Sequence, residues 1–128
     1  MKSYFFMLST DPGVDPRKCV IGLACAAEAV TQGHEVTVFF ASHAVLLLQA
    51  RVIDEFDDKV GMPQGACRAL LDTVVAAATV ACSTGSQAVV GVTPDNANGV
   101  LVNDDSLVWS GPPGVVAMSA SADVTLSF

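Results

Sequence analysis

Cys82 stands where a nucleophile would be placed. It ends the short run Thr79-Val80-Ala81 and is followed by the small polar turn Ser83-Thr84-Gly85-Ser86. A sulfur between a strand and a turn that opens a helix faces the following backbone N–H groups, and such a setting lowers a thiol pKa and favours thiolate. A thiolate there is suited to carrying sulfur, because sulfur transfer proceeds by attack of one sulfur on another. No Lys or Arg lies near Cys82 in the chain, so cationic activation has to come from elsewhere in the fold or from another subunit. The competing reading is a core thiol, since free cysteines are among the most buried side chains.

The other cysteines fit structural roles. Cys67 falls on the apolar face of its helix. Cys19 and Cys25 are six residues apart, roughly 240° around a helix, so they do not share a face and form no ligand pair. No C-x-x-C occurs, and His34 and His43 have no ligand spacing to any cysteine; no metal site is expected. His34 follows the helix-ending Gly33 and shapes that turn. His43, beside the end of the second strand, is the better-placed proton carrier. Neither phosphate-loop pattern is present and there is no G-x-S-x-G elbow, so neither nucleotide binding nor serine hydrolysis is indicated and no cofactor is expected.

Three loops must position this chemistry. Tyr4 to Leu8 is an apolar run without alternation, as in a strand covered on both faces. Asp11-Pro12-Gly13 turns the chain, Asp15 serves as N-cap and Pro16 opens a helix. Val20, Leu23, Ala24, Ala27 and Val30 form its apolar stripe, and Gly33 stops it near Gln32. Val36 to Ala41 is a second strand, completing a βαβ unit with parallel strands. Ala44 to Arg51 reads as a short helix, and the acidic stretch through Gly61-Met62-Pro63 as a loop. Cys67, Leu70, Leu71, Val74 and Val75 mark a third helix, and Thr79 to Cys82 a third strand. A helical turn through Val90, a strand at Leu107 to Trp109, a helix from Pro113 to Ser121 and a strand from Val124 to Phe128 complete the chain. The pattern predicts an α/β fold with a short, mainly parallel sheet and helices on both faces. Ligands of such sheets collect at the carboxyl ends of strands, which selects Ser9 to Asp15, Ser42-His43 and Cys82 to Ser86.

The 128 residues fit one domain, 1–128. Apolar residues make up 52% and charged residues 15%, a surplus of core-forming side chains that predicts self-association. A net charge of −7 with six scattered basic residues offers no stripe for a nucleic-acid backbone. The run Asp54, Glu55, Asp57, Asp58 reads as a solvated, solubilising cluster. The first apolar run is too short for a signal peptide, and none reaches the ~18 residues of a membrane span. A cytoplasmic protein with free thiols is expected.

The chain resembles the DsrE/DsrF-like proteins over nearly its whole length. The resemblance rests on the opening strand with Ser9-Thr10-Asp11-Pro12, on Gln32-Gly33-His34-Glu35-Val36-Thr37-Val38-Phe39-Phe40, and on Ser42-His43-Ala44-Val45-Leu46-Leu47. It continues in Val80-Ala81-Cys82 and Gly91-Val92-Thr93-Pro94-Asp95, and closes with Ala122-Asp123-Val124-Thr125-Leu126-Ser127-Phe128. It implies a flavodoxin-like or Rossmann-like three-layer sandwich, assembly as a homo-oligomeric trimer or hexamer, and persulfide sulfur carried on a cysteine after a central strand. Cys82 matches that cysteine. Thr10, Asp11, Ser42, His43, Ser83, Thr84 and Gly85 are then expected around it, with a sulfur donor or acceptor protein as partner. Two other readings stand beside this sulfurtransferase-like one: an oligomeric binding or assembly module that kept the fold and lost the chemistry, and a small-molecule enzyme using His43 and Asp11 as acid and base.

Overall fold

The computed structural model describes residues 1–128. The elements run β1 (Ser3–Leu8), α1 (Pro16–Thr31), β2 (Glu35–Phe40), a 3₁₀ segment (Ser42–Leu48), α2 (Ala50–Asp54), α3 (Asp57–Val60), α4 (Ala66–Ala77), β3 (Thr79–Ser83), α5 (Thr84–Val89), a 3₁₀ turn (Asp104–Ser106), β4 (Val108–Ser110), α6 (Pro112–Ala120) and β5 (Val124–Ser127). The five strands lie in the order β4-β3-β2-β1-β5, every neighbouring pair parallel. The chain steps outward from β1 to β4 and then crosses back to lay β5 on the other side of β1.

Both faces of the sheet are covered, which is why its strands show no alternation in sequence. Phe6, Leu8, Val36, Val38, Phe40, Val80 and Cys82 point into a large core shared with α1, α4 and the 3₁₀ segment. Phe5, Phe39 and Ala81 point the other way, against Val115, Met118 and Ala122 in and after α6. The expected three-layer α/β sandwich is present, with one face covered far more heavily than the other. The start of α1 is as the sequence indicates: Asp15 accepts from the Lys18 N–H at 3.1 Å, Pro16 occupies the first turn, and Gly33 has the positive φ of 85° that ends a helix at low cost.

Two segments differ most from expectation, and the acidic stretch read as a loop up to Gly61-Met62-Pro63 also carries the helical turn α3. The helix predicted over Ala44 to Arg51 is a 3₁₀ segment followed by a separate α2. Strand-like contacts intervene: Gln49 bridges Leu101, the Val102 N–H donates to the Leu48 carbonyl at 2.8 Å, and the Ala50 N–H to the Val100 carbonyl at 3.0 Å. Tertiary hydrogen bonds therefore divide one apolar run into two elements.

Asp57 is the second correction: it is buried, whereas Asp54, Glu55 and Asp58 of the same run are exposed as expected. Its carboxylate accepts from the Cys67 and Gly65 N–H groups, each at 2.8 Å, and so caps α4 from a distant element. Those bonds, the one from Cys67 foremost, hold its pKa below 3.8. A depressed folded-state pKa stabilises the fold above the unfolded value, and that contribution is lost as pH falls through the folded one. Asp57→Asn should lower Tm at pH 7 by about 5 °C. In thermal melts across pH, the gap to wild type should close below pH 3.8.

Candidate functional site

Strand order decides where this sheet opens. The connections leaving β1, β2 and β3 run over the face of the large core, whereas α6, leaving β4, covers the opposite face. The chain therefore departs to opposite sides between β3 and β4, and open α/β sheets bind ligands at such a switch point, beyond the strands' carboxyl ends. Cys82 and Ser83 sit there, in register with Trp109 and Ser110.

Cys82 is the penultimate residue of β3 and lies opposite Phe40 of β2. Its side chain points into the large core and is 0% exposed. The expectation of a thiol lowered by the start of a helix is corrected here. Burial raises the Cys82 pKa above its ordinary 9.0, and the only opposing influence is the amide of Gln87. The helix-start position belongs to Ser83, whose Oγ accepts from the Ser86 N–H at 3.1 Å. Alternation along β3 is the reason: Cys82 follows Val80 onto the core face, and Ser83 falls on the other.

Where the chain leaves β2 and β3 lies a cleft of about 140 Å³ lined by Ser42, His43, Ser86, Val89 and Val90, with Cys82 not among its walls. Ser42 has φ 51°, a left-handed conformation uncommon for a residue with a side chain. Its N–H donates to Ser86 Oγ at 2.9 Å, which ties the end of β2 to α5. Helix α5 thus supplies one wall of the cleft through Ser86 and Val89, while its buried Gln87 faces the Cys82 thiol.

Of the other residues expected around Cys82, only Ser42 and His43 line this cleft. Ser83 lines a separate apolar cavity of about 280 Å³ on the α6 side, with Met7, Phe39, Ala41 and Val115 among its walls. Thr84 and Gly85 are exposed on the outside of α5. Thr10 and Asp11 serve the turn after β1: the Thr10 carbonyl accepts from Cys19 Sγ at 3.3 Å, and Asp11 Oδ1 from the Gly13 N–H at 2.8 Å. Neither lines the cleft, so Asp11 and His43 are not brought together in it.

Two of the remaining thiols, Cys19 and Cys67, are held in the protonated form. Burial, with Asp15 next, pushes Cys19 up to about 11. Burial and the Asp57 carboxylate push Cys67 up to about 12. Cys25 is half-buried on α1, and His34 accepts from the Lys2 N–H through Nδ1 at 3.1 Å, bracing the turn before β2. No three His, Cys, Asp or Glu side chains gather where they could hold a metal ion. No helix is long and apolar enough to cross a membrane. Sequence reasoning missed Gln87 and the clasp made by Ser86. A small polar helix of neutral residues carries no signal of which side chain turns inward.

No protein-family model matches the chain, and no curated protein sequence does. A solved structure is similar to it: the crystal structure of the ychN protein from E. coli, with a TM-score of 0.73 and 16% sequence identity over 100% of both chains. At that identity the likeness is one of fold. The parallel sheet and its flanking helices are thus a fold that this chain shares, end to end, with the ychN protein.

Proposed function

We propose that the protein is a DsrE-like sulfur carrier or sulfurtransferase-like protein of the cytoplasm, in which Cys82 accepts sulfane sulfur and passes it to a partner thiol. One observation carries this reading: Cys82 is the penultimate residue of β3, at the point where the chain leaves the sheet toward opposite faces. In the step itself, the Cys82 thiolate attacks the outer sulfur of a donor persulfide. The new bond is Cys82 Sγ–S, the donor's S–S bond breaks, and the donor leaves as its thiolate. The sulfane sulfur keeps its oxidation state, and the reverse attack by an acceptor thiolate discharges it. Intact mass after incubation with thiosulfate, whose outer sulfane sulfur is attacked in the same way with sulfite as the leaving group, tests the reading. The expected result is a DTT-reversible gain of about one sulfur atom, and no gain in the wild type would sink the proposal.

The complete burial of Cys82 favours a second reading, a non-catalytic assembly module. Both readings share an assembled state, a trimer or hexamer in the DsrE-like case. Its support is α6, which is apolar on all sides yet has no buried residue, with Val116 67% exposed. A helix apolar all round belongs in an interior, and a second copy would supply one. Light scattering on the eluting protein should give a multiple of 13.2 kDa, and Val116→Asp should shift it to a smaller species. A wild type that elutes as a monomer at micromolar concentration would remove the assembly from either reading.

A further inference from the structure

Gln87 is 0% exposed, and neither its Nε2 nor its Oε1 has a hydrogen-bond partner. These are the only buried side-chain nitrogen and oxygen atoms of the protein left without one. An unpaired buried amide destabilises a fold, whereas an apolar side chain of the same shape would fill the space at no such cost. Packing therefore gives no reason for an amide at this position.

The neighbouring thiol does give one. Gln87 is the one side chain that favours the charged form of Cys82; no cation or carboxylate acts on it. A buried sulfur that becomes anionic in such surroundings has nothing to offset its charge except a neutral donor. A carboxamide can act in both states of the site. Its Oε1 can accept the weak S–H donor of a resting thiol, and its N–H groups can donate to an anionic sulfur. Sulfur added to Cys82 lengthens the side chain by about 2 Å, and an anion at that position needs a donor still more because it too lies out of water.

We propose that Gln87 is the positioning residue of this site, its buried amide having no other group to serve, so that it can donate to the anionic, sulfur-carrying form of Cys82. The assignment deepens the sulfur-transfer reading and rests on it for its use in the protein. Its test does not depend on transfer.

The test replaces the amide by a side chain of similar length, Gln87→Met, in the full chain. Two quantities are read: Tm, and the pH titration of Cys82 followed through its Cβ resonance by NMR. The variant is expected to melt at or above the wild-type temperature, while the Cys82 midpoint moves up by about one pH unit. A structural role would do the opposite, lowering Tm and leaving the midpoint in place, and that result overturns the assignment. Gln87→Leu carries the same expectation with a different shape. An unchanged midpoint in either folded variant is fatal to the assignment, as is failure of both to fold, since the amide would then be needed for structure. If the midpoint moves but wild-type protein takes no sulfur from thiosulfate, the sulfur-transfer reading fails while the pairing of Gln87 with the Cys82 anion stands.

Discussion

Cys82→Ser is expected to abolish sulfur uptake completely, and the pH dependence of uptake in the wild type should show why Cys82 is the site. A thiol acts only as its thiolate. With Cys19 held at about 11 and Cys67 at about 12, their thiolate fractions at pH 8 are on the order of one in a thousand and one in ten thousand. Cys25 is half-buried on α1, far along the chain from the switch point, and Cys25→Ser is the control that should load normally. Because burial raises the Cys82 pKa above 9.0, its thiolate fraction, and with it the loading rate, should rise about tenfold per pH unit up to and beyond pH 9. A plateau between pH 6 and 8 would mean that the thiol is activated by something the chain alone does not contain. Loss of loading in Cys25→Ser in place of Cys82→Ser would move the chemistry to the other end of the sheet.

Gly22→Val is expected to cause the largest loss of stability without touching the site. Gly22 lies on the buried side of α1. A Cβ there would stand 2.8 Å from Leu8 Cδ2 and 2.9 Å from Phe128 Cβ. The leucine methyl can swing aside, but the Phe128 Cβ is fixed to the backbone. That backbone is held to the sheet by Phe128 N–H to the Met7 carbonyl at 2.8 Å and Ser9 N–H to the Phe128 carbonyl at 2.9 Å. The helix or the last strand must move, which breaks contacts on both sides of β1. Overpacking of this kind costs about 3 kcal/mol, or a Tm lower by about 10 °C, readable in a thermal melt. Gly22→Ala should do the same to a smaller degree. A wild-type Tm for the valine variant would show that α1 does not approach β5 so closely.

Much of the fold is legible in the amino-acid sequence. The runs Tyr4 to Leu8 and Val36 to Ala41 announce strands buried on both faces, and Asp15-Pro16 and Gly33 bound the helix between them, because these signals are local: a cap, a fixed φ and a side-chain period act within a few residues. The helices around Leu71 and Pro113 are readable for the same reason. What depends on distant partners is not. The division of residues 42–54 into a 3₁₀ segment and α2 follows from bonds to residues 100–102. The burial of Asp57 follows from the N–H groups of Gly65 and Cys67.

The candidate site divides in the same way. Sequence alone singles out Cys82, Ser42 and His43, since reactive residue types at strand ends can be read off the chain, but it names Thr10, Asp11, Ser83, Thr84 and Gly85 with them, none of which lines the cleft. Which way each side chain faces was decided by tertiary structure. Alternation along β3, fixed by its pairing with β2 and β4, turns Cys82 into the core and Ser83 out of it. The strand order β4-β3-β2-β1-β5 places the switch point beside that sulfur and folds α5 over it, with Gln87 inward. Side-chain types and local spacing are properties of the chain. Burial, and with it the charge state a thiol can hold, is a property of what the rest of the fold packs against it.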